Sequence, residues 1–248
     1  MSKFILSIVI AIVGFSTVYA DSIVKKMYNV TSFDSIVADG YFNLSIQPYS
    51  GAKAFVKTSA SAKNPIAVTV HGHTLYITSR YITSVPHPTV SVQLANLKGL
   101  QVYGPVNVNS STIPSTQGLS LRSEGYGVVN LVVNNLRTIK QNGNNVIKIS
   151  GIQSSKLALY AEGSGETTLK GKVNDFYARL NNHATLYARD LAADHISIQA
   201  KYNSHAYIHP IKSLRAFSDQ SGEIYYYKHL NDLTRVPVQS GNVLEMQW

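Results

Sequence analysis

Asp175, Asp194 and Asp232 recur in phase along the C-terminal half of this chain, with Ser213 filling the one intervening place. If the repeating unit stacks on itself, equivalent residues lie about 4.8 Å apart. That is close to the roughly 5–9.5 Å separation at which paired carboxylates hydrolyse glycosides. Each of the four also follows Asn174, Ala193, Lys212 or Asn231 in the stretch before a new unit. Asx and Ser side chains there bond their own backbone, so a turn-capping ladder accounts for the column, and no residue is assigned as catalytic. Glu162 and Asp219 share a phase three units apart, as do Glu166 and Glu223. About 14 Å is too far for an acid–base pair.

Histidine chemistry is equally sparse. His71-Gly72-His73 places two rings on one side of a strand, and His205 and His209 could approach across a turn. Zinc asks for three or four ligands with supporting contacts, and no third ligand is near in sequence. No metal or cofactor is expected. Zero cysteines remove disulfides, thiolate zinc and thiol catalysis. The tyrosines offer another kind of chemistry. Tyr187 and Tyr225 share a phase two units apart with Ala206 between them, while Tyr207 and Tyr226 form the adjacent column. One column should pack inward and the other face water. Tyrosine rings give area and their hydroxyls polarity, and Lys170 and Arg189, in phase in neighbouring units, add a positive rim. Tyr207, Tyr226, Lys170 and Arg189 are the ligand-contact candidates. A tyrosine ladder that only stabilises a sheet is the plainer reading of the same residues.

What positions these residues is a 19-residue repeat over 157–248. Leu157, Phe176, His195, Leu214 and Leu233 mark its steps, as do Gly165, Ala184, Asn203, Gly222 and Gly241, and Val173, Ala192, Ile211 and Leu230. Within a unit the pattern is strand, small-residue turn, strand, turn: 157–161 alternates, Glu162-Gly163-Ser164-Gly165 turns, and 166–170 resumes. Nineteen residues are too few for a βαβ unit of roughly 30. They suit one coil of a single-stranded parallel β-helix or β-solenoid, so the fold class is all-β. Between 97 and 156 the repeat drifts. Residues 21–96 read as irregular opening coils and capping strands, with Asp39-Gly40 as a turn and a cap covering the first sheet edge.

Residues 1–20 read as a signal peptide, with Lys3, an apolar run from Phe4 to Val13, and cleavage expected after Ala20. The expected organisation is therefore that signal followed by a single β-solenoid domain over 21–248. A net charge of +9 favours acidic partners. The cations are scattered rather than run together, so nucleic acid is not an expected partner.

An opening of Phe33, Ile36, Gly40, Phe42, Leu44 and Ile46, a Thr74-Leu75-Tyr76-Ile77 strand, repeated Ser-Gly turns and the terminal Ser221-Gly222-Glu223-Ile224-Tyr225-Tyr226-Tyr227 resemble one bacterial family. It is the putative auto-transporter adhesin, head GIN domain family, and the likeness spans about 30–245. The resemblance implies a cell-envelope β-solenoid, an adhesin role and no defined active site. The chain departs from the family's glycine-rich turns at Asn182-His183-Ala184 and Tyr202-Asn203-Ser204, which puts the turn geometry there in question. The expected function is thus an exported, non-catalytic adhesin-like module in the periplasm, at the outer surface or secreted. Its expected partners are a glycan or a surface protein, with peripheral envelope association and assembly through the solenoid ends both compatible. A polysaccharide-active lyase or hydrolase is the alternative. The terminal Val243, Met246 and Trp248 prompt a third, an outer-membrane β-barrel, although such strands need about 9–11 residues and those read here have about five.

Overall fold

A computed structural model describes residues 23–30, 32–49, 54–61, 65–80, 87–113, 115–227, 232–237 and 241–247. The signal-like segment and Trp248 lie outside them. The opening region holds β1 (Ile23–Val30), β2 (Ser35–Asp39), β3 (Asn43–Pro48), β4 (Ala54–Ser61), β5 (Ala67–His71), β6 (Thr74–Thr78) and β7 (Thr89–Leu94). Then come β8 (Gly99–Tyr103), β9 (Asn107–Ile113), β10 (Leu119–Gly125), β11 (Val128–Val133) and β12 (Leu136–Gly143). The later coils use longer strands: β13 (Val146–Glu162), β14 (Glu166–Asn181), β15 (Thr185–Ala200) and β16 (His205–Ser218). The chain closes on β17 (Glu223–Tyr226), β18 (Asp232–Pro237) and β19 (Asn242–Glu245). All strands join one sheet, and no helix occurs among the described residues.

The sheet is wound into a β-solenoid with two faces. Face I runs β6–β2–β8–β10–β12, continues through the second halves of β13 to β16, and ends on β18, always in parallel. Face II runs β7–β3–β9–β11, continues through the first halves of β13 to β16, and ends on β17 and β19. Each of β13 to β16 crosses from face II to face I without a break in the strand. The crossing is a local bulge, marked by Gly151 (φ 77°) in β13 and Gly171 (φ 137°) in β14. Asn174-Asp175, Ala193-Asp194 and Lys212-Ser213 therefore lie inside strands, not in turns. Their expected turn-capping role is corrected accordingly.

Alternation does the packing. Leu100, Leu121, Ile139, Leu159, Ala178, Ile198 and Ala216 form one inward column of face I, at steps of 18 to 21 residues. Leu44, Val108, Val129, Ile147, Thr167, Leu186, Ala206 and Ile224 form an inward column of face II. Every member of both is buried. Burying a Leu or Ile side chain contributes about 1.5–3 kcal/mol, and each coil gains it only through its neighbours.

The strict 19-residue grid fails in one place. Phe176 pairs with Ile196, and Ile196 with Leu214, so His195 is not in that column. Likewise Thr185 pairs with His205, which makes Ser204 rather than Asn203 the equivalent of Ala184. Val173 aligns with Ala193 and then Pro210, instead of Ala192 and Ile211. The extra residue of β15 lies between Tyr187 and Leu191, opposite the register shift from Thr168 to Gly171 in β14, and a second shift between Ala188 and Ala192 shortens β16 again.

The opening region winds out of order. β2 sits between β6 and β8, and β3 between β7 and β9, so the coil made from β6 and β7 lies outside the one made earlier in the chain. Antiparallel pairs then cover it: β5 with β6 on face I, and β1–β4–β7 on face II. This is the irregular cap expected from the sequence. Asp39-Gly40 does turn, with Gly40 at φ 132°, but it bends the chain between faces instead of closing a hairpin.

Candidate functional site

Two outward surfaces carry the candidate residues. On face II one outward column reads Ser91, Ser45, Asn109, Asn130, Lys148, Thr168, Tyr187, Tyr207, Tyr225 and Leu244 from one end to the other. It begins as a polar ladder, in which Asn130 Nδ2 donates to Asn109 Oδ1 at 3.0 Å, and becomes aromatic. The rings of Tyr187 and Tyr207 stack at 5.4 Å and 8°, and those of Tyr207 and Tyr225 at 5.0 Å and 10°. The residue between Tyr187 and Tyr225 is thus Tyr207, while Ala206 is buried in the core.

The flanks of this ladder are polar. The Tyr225 hydroxyl donates to Glu223 Oε2 at 2.5 Å, and His205 Nδ1 lies 3.1 Å from the same oxygen. The hydrogen bond from Tyr225 holds the Glu223 carboxyl below its usual range, against an opposing contribution from burial. The same bond pushes the Tyr225 phenol up to about 12, and burial raises that of Tyr207. On the other flank the Arg189 guanidinium lies 4.6 Å above the Tyr227 ring. Lys170 is ion-paired with Asp190 at 2.8 Å, a bond that lowers the Asp190 carboxyl.

Of the four contact candidates, Tyr207 is half-buried at the centre of the stack and Arg189 and Lys170 are exposed beside it. Tyr226 is different: it is 0% exposed, and its hydroxyl reaches Glu245 Oε2 at 3.2 Å from within the core. Strand alternation sends it inward, so it leaves the contact set, and Tyr187 and Tyr225 take its place. Parallel stacking also decides what the ladder can do. Facing rings cover one another, so the ladder offers hydroxyl edges along its length. A ring face is open toward the smaller Thr168, on Tyr187, which is 42% exposed.

On face I, Asp175 does not align with Asp194. It aligns with His195, and the column reads Lys156, Asp175, His195, Ser213 and Asp232. His195 Nδ1 lies 2.7 Å from Ser213 Oγ. Asp194 is held by Lys212 Nζ at 2.8 Å, and that bond lowers its carboxyl. The carboxylate pair proposed for hydrolysis is therefore not assembled. The one-residue shift instead brings together Asp, His and Ser, which the strict grid hid. They form a hydrogen-bonded pair, not a relay, since Asp175 and His195 make no ion pair. The ladder also commits the backbone N–H groups that an oxyanion site would need. His71 and His73 flank Gly72 at the exposed β5–β6 turn. Among the described residues no three His, Asp or Glu side chains are grouped to hold a metal ion.

Comparison with known proteins agrees with this architecture. The family model described as putative auto-transporter adhesin, head GIN domain, matches residues 32–229. A crystal structure of a putative lipid binding protein from Parabacteroides distasonis superposes with a TM-score of 0.77 at 16% identity, over 90% of this chain and 96% of that one. A putative adhesin from the same organism gives 0.74 at 18% identity, over 91% and 97%. One from Parabacteroides merdae gives 0.73 at 16% identity, over 90% and 96%. At such identities the likeness is one of fold. No curated protein matches the chain.

Proposed function

This chain belongs to the putative auto-transporter adhesin, head GIN domain family, and we propose that it is an exported, non-catalytic binding module of the cell envelope. In this reading residues 1–20 are a cleaved signal and the remainder is a single solenoid domain. The ladder of Tyr187, Tyr207 and Tyr225 is its contact surface for a glycan or a surface protein. The carrying observation is the stack itself: three in-register tyrosines on an outward face, flanked by Arg189, His205 and Glu223. Stacked rings are preorganised, so a ligand meets them without the entropy cost of ordering free side chains.

The polysaccharide-active alternative draws on the His195–Ser213 pair alone. The barrel alternative has no support in the parallel ladders, because outer-membrane barrels are antiparallel.

The test pairs location with contact. Protease added to intact cells should digest the tagged protein if it faces outward, whereas protection until the outer membrane is opened places it in the periplasm and removes the adhesin role. Purified protein should bind an array of immobilised glycans and surface proteins, and the Tyr187→Ala/Tyr207→Ala double variant should lose that signal. Equal binding by the variant would take the contact role away from the ladder.

A further inference from the structure

Face I carries a second surface that nothing above accounts for. Across β12 to β16 its outward side presents Arg137, Lys140, Lys156, Arg179 and Arg215, all exposed. None of the five makes an ion pair with a described residue. Arg137 donates to Ser120 Oγ at 3.2 Å, and that is a neutral partner. Other cations of the solenoid are matched by acids, as Lys98 is with Asp34, Arg122 with Glu124, Lys170 with Asp190 and Lys212 with Asp194. The acids beside the five are Asp175, Glu162 and Glu124, the last paired with Arg122, so the surface keeps a positive excess.

The cations are also spaced in order. Lys140, Tyr160 and Arg179 are consecutive members of one ladder, and Ala158, Tyr177, Ser197 and Arg215 of the next. Coils stack at about 4.8 Å, so Lys140 and Arg179 stand roughly 10 Å apart along the axis. Tyr160 lies between them, and Tyr177, on the same strand as Arg179, has its ring centroid 5.7 Å from that of Tyr160. Small Ala158 and Ser197 leave an open groove of about 590 Å³ that runs past Lys156, Asp175, His195 and Arg215.

From this geometry we infer that face I binds a linear acidic polysaccharide laid along the solenoid axis. Its carboxylates meet Lys140 and Arg179 on one ladder, with Arg215 and Lys156 on the next two ladders to one side, and a sugar ring rests against the Tyr160–Tyr177 pair. Charge complementarity selects an anion. The repeat of cations and tyrosines at coil spacing selects a polymer over a single small acid. A membrane is disfavoured because exposed Met27 and Leu244 lie on strands at the two ends of face II, with Met246 just beyond the last strand, and the large exposed hydrophobic side chains of face I are tyrosines. The surface is independent of the tyrosine ladder, so the two assignments stand or fall separately.

The full exported chain, titrated with polygalacturonate by calorimetry or fluorescence anisotropy, supplies the test. A neutral glucan of similar length and vesicles of phosphatidylglycerol serve as comparisons. Polygalacturonate should bind with an affinity that falls with added salt, and the glucan should not. The Lys140→Gln/Arg179→Gln variant should weaken binding about tenfold or more with an unchanged melting temperature, since both residues point into solvent. Lys148→Gln, which removes an exposed cation from face II, should leave this affinity alone. Equal binding of glucan and polygalacturonate, or an unchanged affinity in the double variant, would overturn the proposal. So would binding to vesicles alone, which would make face I a membrane-facing surface.

Discussion

The solenoid turns its corner between face I and face II in two ways, one in the earlier coils and another in the later ones. Gly104, Gly125, Gly143 and Gly163 stack at the earlier corners with φ of 72°, 115°, 97° and 96°. At the later ones the pairs Asn182-His183, Tyr202-Asn203 and Gln220-Ser221 adopt φ between 49° and 72°. Each pair closes a turn, as in the bond from Gly222 N–H to the Asp219 carbonyl at 2.9 Å. Two central residues with positive φ make a type I′ turn. A φ near 100° lies outside the left-handed well and is a glycine conformation, whereas a φ near 55° lies inside it and admits Asn at modest cost. The departure from the family's Ser-Gly turns at 182–184 and 202–204 therefore leaves the corner intact, by the same backbone route that Gln220-Ser221 takes before Gly222.

Gly143→Ala should have the largest effect. A methyl group there would come within 2.6 Å of the Gly125 carbonyl oxygen at φ 97°. A loss of about 3 kcal/mol is expected in urea unfolding, while Asn182→Gly should change stability by less than about 0.5 kcal/mol. Comparable losses at both positions would erase the distinction between the corners.

Asn145 comes next. It sits 1% exposed behind the Gly143 corner, donates to the Ser123 and Asn142 carbonyls, and accepts from Gln141 Nε2 at 2.7 Å. Its replacement by Ala strands those groups and should cost about 2–3 kcal/mol by the same measurement. In the later coils the equivalent places hold Ser204, whose hydroxyl donates to the Lys201 carbonyl at 2.6 Å, and Ala184, which has no side-chain bond to lose, so Ala184→Gly should cost no more than about 1 kcal/mol.

Tyr202→Gly should act in the opposite direction. Tyr202 is 46% exposed and held at φ 53°, and relieving it should raise stability by up to about 1 kcal/mol. The smallest effect is a titration. Tyr225 should ionise near pH 12, well above the ordinary 10.0. In Glu223→Gln its value should fall back toward the ordinary one, read as the absorbance difference from a Tyr225→Phe reference. Because the folded value is raised, this contribution to stability is complete below pH 10 and disappears as pH climbs through 12. Glu223 works the other way: its depressed carboxyl contributes above the ordinary Glu value and loses that contribution as pH falls through the lowered one.

The fold was legible because inward positions repeat their chemistry. Leu157, Phe176, Leu214 and Leu233 are apolar for one reason, and a 19-residue ruler finds them. The same ruler misplaced His195, Asp194, Asn203 and Ala206 through a single physical event. β15 gains a residue near its bulge and β16 drops it again, so a 20-residue step followed by one of 18 returns the count to phase at Leu214. Outward residues carry no apolar signature by which such a slip could be noticed. That is why the three stacked tyrosines and the His195–Ser213 pair were out of reach while the core was not. The crossings between faces were also hidden, since a bulge inside an extended strand has the composition of a turn.

The out-of-order first coil has a mechanical consequence. Tension along the stacking axis loads the solenoid ladder by ladder, and each coil of 18 to 21 residues that peels away frees at most about 60–75 Å of chain. At the C-terminal end coils leave in sequence, like turns from a spool. At the opposite end β2 and β3 lie beneath the coil of β6 and β7, as a rope's first turn lies under its second. A pull there must strip β1 from β4 and then part β2 and β3 from ladders on both sides, so the molecule yields coil by coil from one end and holds from the other.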